Sequence, residues 1–364
     1  MQIKELVNFL ERYFPTSLQE DYDNSGFQLG DGEQELIGVL VCVDVTEDVI
    51  EEAIEKDVNF IISHHPVIFA GLKSLTGKNY VERIVMKALQ NNIAIYSAHT
   101  NLDNSGKGVN IKLAEKLSLK DVQILRPMKD QLVKLVFFVP HANAERVRDA
   151  VFEAGAGKIG DYDSCSYNLK GQGTFRAGER TNPYVGEKGK LHFEDETRVE
   201  TVFPKYKTNQ VLNTLFKSHP YEEVAYDLYP LNNSYTEEGA GVIGSLPKSM
   251  NESDFLSFLK KSFETDCIRH TKFLRKPVNK VAVGGGSSGF LLNDAKKEGA
   301  DAFISADFKY HHFFDADNAI LIADVGHYES EKVTKEIFYE VLTENFHNFA
   351  VHFSKINTNP INYY

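Results

Sequence analysis

The sequence predicts an α/β protein built as a split α/β/α domain that carries an inserted ferredoxin-like α+β domain. Three observations predict it. Apolar β-type runs alternate with amphipathic helical stretches at the start of the chain, the texture changes after Arg126-Pro127, and the first pattern returns in the last third. Length agrees, because 364 residues exceed the size at which a single hydrophobic core keeps growing. The expected boundaries are 1–125 for the first half of the split domain, 126–235 for the insert and 236–364 for the second half.

Taken in order, Ile3, Leu6, Val7, Leu10 and Phe14 recur at helical spacing, and Pro15 stops the helix they predict. D-N-S-G at 23–26 marks a turn. Residues 36–43 read as a buried strand ending at Asp44, 46–56 as a helix, 58–62 as a strand, 81–91 as a helix and 93–97 as a third strand. In the insert, a strand over 132–139 and a helix over 144–154 precede a glycine-dense stretch, 155–189. Strands over 191–193 and 196–204, a helix over 208–218 and a strand over 224–231 complete a β-α-β-β-α-β order, the source of the ferredoxin-like expectation. Residues 232–242 read as the exit linker. The apolar runs 278–283, 302–304 and 319–323 are the strands of the second half.

Composition narrows the function. With 42% hydrophobic and 25% charged residues the chain matches an ordinary folded protein rather than a disordered one. A formal charge of -12, from 52 acidic and 40 basic residues, repels a polyphosphate backbone and argues against a general nucleic-acid partner. A local cationic or metal-lined pocket still admits a small nucleotide. No basic, apolar leader opens the chain and no run of about 18 apolar residues occurs, so a cytoplasmic protein without a membrane partner is expected. Cys42, Cys165 and Cys267 form no C-x-x-C pair and are read as buried small apolar residues.

Chemistry concentrates where apolar strands end. N-F-I-I-S-H-H-P sets His64 and His65 beyond a strand, and both can serve one site only if the chain turns there, as Pro66 permits. Ordinary loop histidines fit the same segment. His99 and Asp103 follow the next strand, and a carboxylate beside imidazoles offers the hard oxygen that zinc, manganese or iron accepts, although an Asp in D-N-S-G also forms turns. His327 and Glu331, four apart on a helical pattern, share a face, with an exposed His-Glu pair as the plainer reading. Carboxyl ends of strands in one parallel sheet lie together, which favours a common site; five ligands suit two ions better than one closed tetrahedral zinc. V-A-V-G-G-G-S-S-G-F at 281–290 reads equally as a phosphate cradle and as a tight turn. Asp307, His311 and His312 follow another strand, as supports for the ligands or as proton carriers.

The motifs S-H-H-P, T-N-L-D and G-H-Y-E-S-E, with D-N-S-G-F-Q-L-G and G-G-G-S-S-G, resemble the Nif-three-like dinuclear metal-centre family, whose members carry the name of type 2 GTP cyclohydrolase I homologues. The resemblance implies that His64, His65, Asp103, His327 and Glu331 hold two divalent ions per subunit, with Glu331 shared and zinc favoured over manganese or iron. Ser305-Ala306-Asp307 departs from the Thr-Gly expected before the acidic residue. G-A-G-K-I-G-D-Y-D, G-Q-G-T-F-R and H-P-Y-E-E-V-A-Y resemble the PII/CutA-like insert of bacterial members, which implies a toroidal homohexamer. The activity implied is metal-dependent hydrolysis of a nucleotide-like substrate, with His99 or His312 relaying protons. The competing expectation is a metal-binding regulatory or scaffold protein whose insert senses a ligand.

Overall fold

A computed structural model describes residues 1–364, which divide into two units, Met1–Pro127 with Glu237–Tyr364 and Met128–Thr236. In the first, the helix Ile3–Tyr13 buries Ile3, Leu6, Val7 and Leu10, the stripe its spacing predicts. Strands β1 (Gly26–Leu29), β2 (Gly38–Cys42), β3 (Phe60–Ser63) and β4 (Ala94–Ser97) follow, joined by the helices Glu47–Glu55 and Tyr80–Gln90. Thr46 and Asn79 cap those helices through side-chain oxygens that accept from Val49 N and Glu82 N. Next come β5 (Lys120–Met128), then β6 (Leu132–Pro140), β7 (Tyr167–Arg176), β8 (Leu191–Pro204) and β9 (Tyr226–Leu231) of the second unit. The first unit resumes with β10 (Tyr235–Met250), β11 (Arg269–His270), β12 (Val278–Val283), β13 (Ala302–Ser305), β14 (Leu321–Asp324) and β15 (Ala350–Phe353).

The first unit holds two sheets, ordered β1-β4-β3-β2-β15 and β11-β14-β13-β12-β10-β5. The expectation of one parallel sheet is thereby corrected. Strands β15, β2, β3 and β4 run parallel, as do β12, β13 and β14, with antiparallel strands at the margins. Alternate residues Val39, Val41, Phe60 and Ile62 of one sheet and Val281, Val283, Ala302 and Ile304 of the other enter a single core with Phe255, Leu259, Phe338 and Leu342. The opposite faces bury Leu40, Ile61 and Ile95, and Ala282, Phe303 and Ile322, under other helices. Coverage on both faces explains why these strands read as unbroken apolar runs.

In the second unit, β7-β8-β6-β9 form an antiparallel sheet with the helices Ala144–Glu153 and Thr208–Ser218, whose Val147, Val151, Val211 and Leu215 share a core with Leu135, Phe137 and Val199. Two expectations change. The second strand lies inside the glycine-dense stretch, and 191–204 is one strand of 14 residues rather than two. The assumed linker 232–242 belongs largely to β10, a strand of 16 residues. Cys42 is buried, but Cys165 and Cys267 are only half-buried because both lie between regular elements. No helix is long and apolar enough to cross a membrane.

Candidate metal centre

After β3 the chain turns at once, because the amides of His64 and His65 both donate to Val43 O at 3.0 Å. The two rings therefore stand side by side, centroids 4.9 Å apart, rather than on opposite faces of a strand. After β4, His99 leads into the short helix Thr100–Asp103, which carries Asp103 to the same place. After β14, Gly326 takes φ 97° and opens the helix His327–Glu331, so that His327 and Glu331 share one face. Ser330 Oγ accepts from Gly286 N, and a Cβ on Gly286 (φ 53°) would collide with Glu331 Oε1. Glycine is required there to let the carboxylate in.

These residues form three overlapping trios, His64-His65-His99, His65-His327-Glu331 and His64-Asp103-Glu331, with ligand atoms within 4.8 Å in each. Glu331 Oε2 lies 3.0 Å from His65 Nε2 and 2.9 Å from His327 Nε2, while Oε1 lies 3.6 Å from His64 Nε2. Asp103 Oδ1 lies 3.7 Å from that same nitrogen.

The imidazoles are held by their other nitrogens. Nδ1 of His64 donates to Ala98 O at 2.9 Å, and Nδ1 of His65, His99 and His327 to Asp44, Asp23 and Asp307 at 2.7 Å each. These partners can only accept, so Nδ1 carries the proton and a neutral ring turns the Nε2 lone pair into the cluster. His65 Nε2 and His327 Nε2 then face each other at 3.2 Å. Lone pairs so placed repel unless a cation or a proton lies between them. Buried His64 Nε2, Asp103 Oδ1 and Glu331 Oε2 have no hydrogen-bond partner. Bonds of about 2.0–2.2 Å to a metal put neighbouring ligand atoms roughly 3.0–3.5 Å apart, so the residues present fit divalent ions.

Electrostatics state the same demand for positive charge. Burial lowers the pKa of His65 and His327, yet the carboxylates of Asp44 and Glu331 beside the first and of Asp307 and Glu331 beside the second overcome it and hold them near 10 and 11, so without an ion these rings take up protons in its place. Burial dominates at His64 and pushes its pKa down. Burial and the charge of Glu331 raise Asp103, whereas at Glu331 burial is outweighed by His64, His327 and His65 and its pKa falls.

His99 belongs to the cluster, its ring 5.3 Å from His64 and 5.4 Å from His65. His312 does not: its ring packs on Phe308 and its Nδ1 accepts from Lys309 N. His311 packs on Tyr310 and Phe314. Asp307 holds His327, in keeping with its expected support of a ligand. Sequence reasoning missed Asp44 and Asp23, although the first ends an apolar run and the second opens D-N-S-G. The glycine loop is a structural turn, since the amides of Gly284, Gly285, Gly286 and Ser288 donate to Ile304 O, Asn110 Oδ1, Ser330 Oγ and Ser305 Oγ. Those four donors are spent within the fold.

The family profile of DUF34/NIF3 (NGG1p interacting factor 3) matches residues 1–360. The chain belongs to the DUF34/NIF3 family. Two curated relatives of this NIF3 chain, from Halalkalibacterium halodurans and Bacillus subtilis, are named GTP cyclohydrolase 1 type 2 homolog. They are 40% and 39% identical, over 98% and 99% of this chain and 98% of each relative. A crystal structure of a Bacillus cereus protein related to NIF3 matches with a TM-score of 0.87 at 37% identity, covering 100% of this chain and 99% of that one. A Staphylococcus aureus structure matches with a TM-score of 0.78 at 31% identity and the same coverage. The NIF3 fold and a group of His and Glu side chains able to hold metal thus stand together in this chain.

Proposed function

We propose that this chain is a dinuclear metal protein in which His64, His65, Asp103, His327 and Glu331 hold two divalent ions, and that it acts as a metal-dependent hydrolase on a small nucleotide-like molecule. The observation that carries the reading is the convergence of tethered imidazoles and unpartnered carboxylate oxygens around Glu331, one oxygen toward each of two trios. Two nitrogens and an oxygen in one trio suit zinc, and the oxygen-richer trio also suits manganese or iron. When bound, such ions supply Lewis acidity and bring water within reach of ionisation near neutral pH.

The chain's own part is orientation and proton handling. Asp44 and Asp307 fix His65 and His327, and Thr358 Oγ1 donates to Asp44 Oδ2 at 2.6 Å, which fixes Asp44 in turn. Asp23 accepts from His99 Nδ1 and from Thr100 N, so His99 presents Nε2 at the edge of the centre, where it can carry a proton. We assign that role to His99 rather than His312.

The second unit supports a ferredoxin-like, PII/CutA-like reading through its β-α-β-β-α-β order and the sheet order β7-β8-β6-β9. Tyr167, Leu169, Leu191 and Phe193 on its strands are exposed, as a homohexamer that buries such surface requires. We place the assembly in the cytoplasm.

A second reading, a metal-dependent regulator or scaffold without turnover, is favoured by the glycine loop, four of whose amides are spent within the fold and so are not offered to a nucleotide phosphate. One experiment separates the two. Protein purified without added ions is analysed for metal and then screened against GTP, other nucleotides and related small molecules. The hydrolase reading expects turnover that Glu331→Gln abolishes in an intact oligomer; two bound ions with every substrate unchanged reject it in favour of regulation.

A further inference from the structure

The second unit contains a cavity of about 420 Å³ that owes nothing to the metal centre. Gly189 N donates to Ala177 O and closes the β7–β8 connection into a loop, and Asn182 N donates to Glu222 Oε1 at 2.8 Å, which ties that loop to the segment before β9. Phe175, Tyr184 and Tyr221 line the space between them. Their rings are tilted rather than stacked on one another, with centroids 6.3 Å apart for Phe175 and Tyr221 and 6.2 Å for Tyr184 and Tyr221. His192 packs edge-on against Phe175 and His219 against Tyr221, and the rings of Phe175, Tyr184 and Tyr221 all border the cavity. Phe138 closes one wall.

One carboxylate sets the polarity. Glu196 Oε1 accepts from Tyr221 Oη at 2.8 Å, and its other oxygen lies over Gly173, where any Cβ would collide with it. No cation pairs with Glu196. Among the lining side chains the carboxylates of Glu196, Glu222 and Glu223 face one guanidinium, Arg176, so the wall carries a negative excess. Burial and the charge of Glu196 raise the Tyr221 phenol above its ordinary pKa, which keeps it a donor to that carboxylate.

We propose that this cavity binds a compact organic ammonium ion, its charge on the aromatic faces and near Glu196. Ring faces carry negative potential and attract a cation where water is partly excluded, and a carboxylate at the same place adds charge selection. The volume lies in the range of about 300–1,000 Å³ typical of small-molecule sites. An anion would meet the glutamates, and a neutral molecule of the same shape would gain only the apolar contact.

The metal-loaded full chain is titrated with choline and with its neutral carbon isostere, dimethylbutanol, by calorimetry and saturation-transfer NMR. Saturable binding of choline at one equivalent per chain is expected, with the isostere about tenfold weaker or worse. Glu196→Gln and Tyr184→Ala should each weaken choline by about tenfold and leave metal content unchanged, whereas Tyr221→Phe, which keeps the ring, should cost less. Tyr184 is exposed at 57%, so its truncation leaves the core intact, and Glu196→Gln provides an independent arm that is close to isosteric. Equal binding of the two isosteres overturns the proposal, as does preference for inorganic phosphate. So does the absence of saturable binding of choline, tetramethylammonium and benzylamine up to about 10 mM.

Discussion

The two units treat polar chemistry in opposite ways. The split unit buries it: His64, Asp103 Oδ1 and Glu331 lie out of reach of water, gathered from the ends of β3, β4 and β14, with atoms that no protein group satisfies. The inserted unit spreads charge over an exposed surface; its unpartnered buried atoms, Gln131 Oε1 and Arg198 Nε, belong to no metal-ligand group, and its buried histidine is matched within the chain, where Tyr221 N donates to His219 Nδ1 and His219 Nε2 donates to Phe138 O. An unmatched buried polar atom costs free energy, and several with ligand character gathered at one point mark a place that something from outside completes. The contrast teaches where an ion would be needed: the split unit gathers unmatched ligand atoms at one point, and the insert does not.

The largest effect is expected from Glu331→Gln, which weakens a ligand common to two trios. Metal analysis should fall from two ions per chain to none, and hydrogen exchange should quicken around residues 63–65, 98–103 and 326–331 while the insert keeps its protection; quickening in the insert as well would break the contrast. Asp103→Asn divides the centre, because Asp103 belongs to one trio only. One ion should remain, and loss of both would show that the trios do not bind independently. Asp307→Asn leaves every ligand in place but frees His327, so affinity should drop by about 10–100-fold at the trio that contains it, read by competition with a chelator.

The smallest effect tests the insert. Burial, aided by Arg146, lowers the His219 pKa despite the bond to Phe138 O. The unfolded chain accepts a proton at about pH 6.5 that the folded ring resists, so this stability is whole above that pH and is lost as pH falls toward the folded value. Protonation also ends acceptance from Tyr221 N, a loss of about 1 kcal/mol. Exchange in β6 and in the helix Thr208–Ser218 should quicken below about pH 6.5, and His219→Gln should flatten the response. A flat response in the unsubstituted protein would refute it.

Legibility followed burial. The run Phe60–Ser63 is covered on both faces and announces itself as a strand, and the stripe of Ile3–Tyr13 announces a helix. β7 exposes nearly every residue, so no alternation marks it, and Glu194-Asp195 interrupts the apolar signal of β8 although the backbone continues. The pairing of β15 with β2 joins residues 350–353 to 38–41, and the division into two sheets depends on such distant choices, which no local window contains. The five proposed ligands could be picked out because each follows an apolar strand. Asp23 and Asp44 were not, because an aspartate in a turn or at a strand end looks the same whether or not it steadies a histidine.

The proposed ligands come from 64–103 and from 327–331, with the entire inserted unit encoded between them. An ion held there ties shut a loop of more than two hundred residues, and the entropy of closing a loop grows by only about 0.6 kcal/mol for each doubling of its length. Lengthening, trimming or exchanging what is threaded through that gap should therefore barely change the grip on metal. Evolution is left free to fit the same clasp with different attachments.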